Sequence, residues 1–134
     1  MTNDKAQMTN EISITNGKGS KQSFDLDERT IALSKRCLEL CKSMKTDMVN
    51  SELIRQLVRS ASSVGANYRE AHESISKKDF HHRISICRRE AKETWYWLEL
   101  LLYSNSQLSE KIEPLLDESR QLTKIFATIN AKNR

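Results

Sequence analysis

Apolar side chains recur at three- and four-residue steps through Ile54, Leu57, Val58, Ala61, Val64, Gly65, Tyr68, Ala71 and Ile75. That spacing puts side chains on one face of an α-helix. A second run, Phe80, Ile84, Cys87, Ala91, Thr94, Leu98 and Leu101, alternates steps of four and three, which makes the narrow seam of a coiled coil or helix bundle. Between the two runs, Ser76-Lys77-Lys78-Asp79 has the form of a capping box. The Ser76 hydroxyl can accept a free amide of the first turn, and Asp79 can reach back while favouring the positive end of the helix dipole. A helix is therefore predicted from near Lys77 to about Ser104, antiparallel to the one before it.

The same periodicity marks two further helices. The first is expected to open at Asp25 or Asp27 as N-cap and to carry Ile31, Leu33, Cys37, Leu40, Cys41 and Met44, with Lys42 and Lys45 near its negative end. Thr46-Asp47, or else Asn50 or Ser51, caps the next helix. After a polar link from Asn105 to Ser109, a fourth helix carries Ile112, Leu115, Leu116, Ser119, Leu122, Phe126 and Ile129. Pro114 has no amide to donate, so it is placed in the first turn of that helix or else kinks it. The fold class is all-α: an antiparallel up-down-up-down four-helix bundle over residues 25–134, preceded by a disordered or loosely attached tail, 1–24. Ile12 and Ile14 in the tail have strand spacing, but no other strand is predicted to pair with them.

Composition narrows this picture. The chain of 134 residues is expected to form one domain, large enough to bury roughly two-thirds of its unfolded surface without metal or disulfide support. Three glycines and one proline are too few for the frequent tight turns of a sandwich or barrel. No apolar run approaches the length of a membrane span and no secretory leader is recognisable, so neither is expected. The three cysteines, an odd number within helical patterns, fit a reducing cytoplasm better than a disulfide framework.

Charge supplies the one chemical lead. The segment from Ser76 to Lys92 holds Lys77, Lys78, Arg83, Arg88, Arg89 and Lys92 against Asp79 and Glu90, and so carries the whole net charge of +4. His81 and His82 lie inside it. Clustered cations near a helix start suit phosphate contacts; a solvated helix face has the same composition, and both readings stand at this point. No zinc-finger spacing, aromatic-rich RNA-binding strand or helix-turn-helix is present, so any nucleic acid, structured RNA or an RNA/DNA hybrid, is expected to be held by its backbone with little sequence preference.

Other constellations carry less. Cys37 and Cys41 could face one way as ligands, but no second pair at structural-zinc spacing follows. His72, His81 and His82 lack the two-histidine spacing of a metalloprotease helix, and Gly17-Lys18-Gly19-Ser20 lacks the spacer of a phosphate loop. Glu70, Glu90 and Glu93 mark no pocket for acid–base work. Neither enzymatic activity, cofactor nor metal is expected. Trp95, Tyr96 and Trp97 are assigned to core and interface ahead of base stacking.

Asp25-Leu26-Asp27-Glu28-Arg29-Thr30, Ile54-Arg55-Gln56-Leu57-Val58-Arg59-Ser60, Ser63-Val64-Gly65-Ala66-Asn67-Tyr68-Arg69-Glu70-Ala71, and Lys78-Asp79-Phe80 through Arg88-Arg89-Glu90-Ala91-Lys92-Glu93 together resemble the four-helix-bundle proteins encoded by intervening sequences of bacterial 23S ribosomal RNA genes, often labelled S23 ribosomal proteins. The resemblance covers about residues 25–131, and departs from the commoner pattern at Cys87, where a small residue is usual, and at Glu90, where serine is usual. It implies a homo-oligomer, a pentameric ring, related to the accessory variability proteins of diversity-generating retroelements, which bind nucleic acid and a protein partner. It does not imply a ribosome component. On that footing the polar stripe of Arg59, Ser63, Asn67 and Glu70, with Glu90, Glu93 and Trp97, is expected at the subunit interface; without it, the stripe reads as a solvated face with local ion pairs from Arg59 or Arg69 to Glu70 or Glu73. The expected function is that of a non-enzymatic accessory protein binding structured nucleic acid; the alternative is a ring that docks only protein.

Overall fold

The computed structural model describes residues 20–132, which form four long helices and one short 3-10 turn, with no strand among the described residues. Helix α1 spans Ser20–Lys42, α2 Met48–His72, α3 Lys77–Ser104 and α4 Ser109–Lys132, and the 3-10 turn is Ser106–Leu108. The chain divides into two compact units, residues 1–32 and 33–134, so that α1 runs across the division. Within the first unit, Leu26 and Thr30 are buried, and the Thr30 hydroxyl donates to the Asp27 carbonyl at 3.2 Å. The helix starts before the expected Asp25 or Asp27 cap. Lys21 to Phe24 contain neither glycine nor proline, and extending an existing helix fixes only one residue per added bond. Residues 1–19, with Ile12 and Ile14, lie outside the described residues.

The second unit follows the hydrophobic pattern closely. Leu57, Ala61, Val64, Tyr68 and Ala71 of α2, and Ile84, Cys87, Ala91, Thr94, Leu98 and Leu101 of α3, are all buried. So are Ile112, Leu115, Leu116, Ser119, Leu122, Phe126 and Ile129 of α4, and Leu33, Cys37 and Leu40 of α1. Bonds between helices fix their directions. Ser60 meets Thr94, Val64 meets Cys87 and Asn67 meets Arg83, so rising numbers in α2 face falling numbers in α3 and the pair is antiparallel. His81 beside Asn130 and Trp95 under Arg120 set α4 antiparallel to α3 in the same way.

Two caps form where the sequence places them. Asp47 accepts the Asn50 amide at 2.8 Å at the head of α2, and Ser76 Oγ accepts the Asp79 amide at 3.1 Å at the head of α3. The pattern overshoots at two points: Ile31 of α1, expected on the apolar face, is 39% exposed, and α2 stops at His72, leaving Ile75 in the turn, 95% exposed. The Ser76 cap requires extended backbone immediately after Ile75, so the helix cannot continue through it. Pro114 lies in the second turn of α4, not the first; that far from the start its missing amide removes only one helical bond. Gly65, expected on the apolar face, is half-buried at its edge, while Ser34 of α1 donates to the Ala61 carbonyl one turn away at 3.0 Å.

A polar pair that the periodicity does not reveal joins the far ends of α2 and α3. The side-chain amides of Asn50 and Asn105 exchange hydrogen bonds at 3.2 and 3.0 Å while both residues are buried. Asn50 Nδ2 also donates to the Lys45 carbonyl at 2.9 Å, and Asn105 Nδ2 to the Leu101 carbonyl at 3.0 Å.

Candidate nucleic-acid interface

Helix α3 presents different chemistry on different sides because its seam buries only one. Away from that seam, Lys77, Lys78, Arg88, Arg89 and Lys92 are all exposed; Lys78, Arg89 and Lys92 lie opposite it, whereas Lys77, on the line of Ile84, and Arg88, on the line of Trp95, lie to its side. Positions 78, 85 and 92, and 82 and 89, repeat by sevens and so share lines along the helix. None of the five cations is ion-paired with another described residue. Lys77 and Lys78 stand in the first turn with Asp79, whose backbone amide is already engaged by Ser76. A cationic strip of this kind can hold phosphates along a backbone, and its strength falls with salt.

Arg83 does not belong to that strip. It is half-buried and donates to Asn67 Oδ1 at 2.9 Å, while Asn67 Nδ2 donates to the Ser63 carbonyl and hydroxyl at 2.9 and 3.0 Å. His81 is likewise diverted, with Nδ1 lying 3.1 Å from Asn130 Oδ1. His82 stays exposed beside the strip.

The stripe assigned to an oligomer interface is a connected seam between α2 and α3. Arg59 forks onto both carboxylates, reaching Glu90 at 3.3 Å and also Glu93. Glu90 is only 7% exposed, so its charge is compensated by a guanidinium on the neighbouring helix. This replaces the local pairing of Arg59 with Glu70; Glu70 itself is exposed, and Glu93 and Trp97 are half-buried. Glu90 receives Arg59, and the Cys87 thiol donates to the Val64 carbonyl at 3.6 Å.

The aromatic triplet splits three ways. Trp95 turns toward α4, where the Arg120 guanidinium lies 5.7 Å from its ring centre, and Trp97 is half-buried against the edge of the Tyr96 ring. Both indole Nε1 groups are buried without an acceptor. Tyr96, assigned from sequence to core or interface, is 53% exposed, because three consecutive helical residues cannot all face the seam.

The cysteines are built for packing. Burial pushes Cys37 and Cys87 up to about 12 and Cys41 to about 11 from 9.0, with Cys41 raising Cys37 further. They are neutral thiols near pH 7, poor nucleophiles and poor ligands. Among the described residues no group of three His, Cys, Asp or Glu could hold a metal ion, and no helix is long and apolar enough to cross a membrane.

Antiparallel helices with a cation-forked polar seam and a free basic face define a small all-α protein. The chain belongs to the 23S rRNA-intervening sequence protein family, whose profile matches residues 22–128. A solved structure from Bacteroides thetaiotaomicron, a protein of unknown function from the S23 ribosomal protein family, is similar at 31% identity with a TM-score of 0.70, over 78% of this chain and 96% of that one. Among curated proteins none matches.

Proposed function

We propose that this protein is a non-enzymatic accessory factor of the cytoplasm that binds structured RNA or an RNA/DNA hybrid through phosphate contacts. The observation that carries the reading is the exposed, unpaired cationic strip of Lys77, Lys78, Arg88, Arg89 and Lys92 on one side of α3. The reading takes the chain as an antiparallel up-down-up-down four-helix bundle assembled into a homo-oligomeric ring, pentameric as in the resembling family. Repetition of the strip round such a ring multiplies the local field. The α2–α3 seam is assigned to the subunit contact, with Glu70 and Trp97 at its margins. The free cysteines Cys37, Cys41 and Cys87 support a reducing compartment.

The test is binding of the purified oligomer to labelled structured RNA and to an RNA/DNA hybrid across a salt series, beside Arg88→Ala/Arg89→Ala. The parent is expected to lose affinity steeply with salt, and the variant to bind more weakly with a slope shallower by about two. Identical curves for the two proteins remove the site. A second reading, a ring that docks only protein, draws support from the exposed Tyr96 and Tyr103 rings, and absence of binding at low salt would favour it.

A further inference from the structure

The exposed side of α3 does not end at its cations. His82, Arg89, Tyr96 and Tyr103 are spaced by sevens, so they form one line along the helix, and all four are exposed. Tyr103 is 89% exposed and Tyr96 53%, large aromatic rings left in water on a helix whose seam is otherwise filled. Trp97 meets the Tyr96 ring edge-on with centroids 5.1 Å apart, and so braces it. The charge along this side changes with position: Arg88, Arg89 and Lys92 occupy the middle, whereas the next exposed charge toward Tyr103 is Glu99. A phosphate is attracted to the first part and repelled from the second, which offers ring faces in place of charge.

We infer that Tyr96 and Tyr103 form a stacking platform for unpaired nucleotides that extend from a phosphate-anchored helical segment of RNA. The inference rests on the reading of α3 as a phosphate-contacting helix and names the substrate class it takes: a duplex or hairpin with a single-stranded tail. Every base has a π-face, so stacking tolerates any sequence, in keeping with a site that has no base-reading element. The dimensions agree. Residues seven apart stand about 10.5 Å apart along a helix, and stacked nucleotides rise about 3.4 Å per step, so Arg89, Tyr96 and Tyr103 mark roughly three-nucleotide intervals. A protein partner would also accept tyrosines, but the cations on the same line favour a polyanion.

The experiment compares a blunt RNA hairpin with the same hairpin carrying an unpaired oligoadenosine tail, for the parent, Tyr96→Ala/Tyr103→Ala and Tyr96→Phe/Tyr103→Phe. Both tyrosines are exposed, so the variants keep the fold, which far-UV circular dichroism checks. In the parent the tail tightens binding by about fivefold or more per stacked base. The alanine pair abolishes that gain, leaving the affinity for the blunt hairpin and its salt slope unchanged, and the phenylalanine pair retains it. A fluorescent adenine analogue in the tail is quenched on binding by the parent and by the phenylalanine pair only. A blunt hairpin that binds with no gain from the tail, or a gain that survives in the alanine pair, overturns the platform alone. Failure of the parent to bind either hairpin at low salt overturns the phosphate reading and the platform with it.

Discussion

Removing the Asn105 side chain tests whether the buried amide pair holds the ends of α2 and α3 together. Asn105→Ala deletes both bonds exchanged with Asn50 and the bond to the Leu101 carbonyl. Leu101 O keeps a partner, because the Asn105 backbone amide also donates to it at 2.8 Å, and Asn50 Nδ2 keeps the Lys45 carbonyl. The uncompensated loss is therefore the two amide–amide bonds together with a buried Asn50 Oδ1 left without a donor. At about 1 kcal/mol for each bond and at least as much for the orphaned acceptor, the variant is expected to lose about 3 kcal/mol. Tm should fall by roughly 10 °C in a domain of this size. The assay is urea unfolding followed by circular dichroism, run as a cycle with Asn50→Ala and the double variant. Because each single variant already breaks the pair, the double variant should cost less than the sum by about 1 kcal/mol or more. Additive losses, or a single-variant loss below about 0.5 kcal/mol, would falsify the coupling.

Three further outcomes follow from the same geometry. Arg59→Leu strips Glu90 of its guanidinium; since Arg59 is half in solvent, the loss is set at about 1–2 kcal/mol rather than the larger cost of a fully buried pair, and Glu90→Gln in the same chain should restore part of it in urea midpoints. With Cys37, Cys41 and Cys87 raised above 9.0, the unfolded chain loses those protons first, so their contribution is intact below about pH 9 and lost between about pH 9 and 12. Stability should fall over that window, less steeply in Cys87→Ala, and parallel curves for the two proteins would contradict the assignment. Gly65→Leu should destabilise by about 1 kcal/mol, less than a fully buried position would, whereas Gly65→Ala should raise the urea midpoint through helix propensity; a loss on Gly65→Ala would instead show that another helix backbone lies close.

The helices were legible because burial and periodicity are the same fact seen twice: a seam at steps of three and four is what an antiparallel pair must bury. Ser76 and Asp47 were legible for an equally local reason, since a cap is written within four residues of the helix it starts. Ile75 shows the limit of periodicity. It continues the heptad of Ile54, Ala61 and Tyr68, yet the Ser76 cap ends the helix before it, and a local hydrogen bond prevails over one more apolar position. Asn50 and Asn105, separated by 55 residues, were read only as cap and linker because nothing in either neighbourhood announces the other.

The basic segment shows why charge counted along a chain is a weaker guide than charge sorted by helix face. Six cations occur between Lys77 and Lys92, but the helical repeat sends Arg83 to the α2 side, where it tightens the Asn67–Ser63 group, and leaves five to solvent. Glu90, a neighbour of Arg89 in sequence, faces Arg59 instead, so it neutralises nothing on the strip. Sorting by face therefore removes one cation and one anion together, and the exposed side is left with only Asp79 against five cations over that stretch. That separation ties stability to function in a checkable way. Substitutions at Arg59, Asn67 or Arg83 that leave the oligomer intact should shift unfolding and leave the salt slope of RNA binding alone, whereas Arg88 and Arg89 should do the reverse. A variant at Arg83 that flattened the salt slope while keeping the parent's stability would show that the two faces are not independent, and would return Arg83 to the strip.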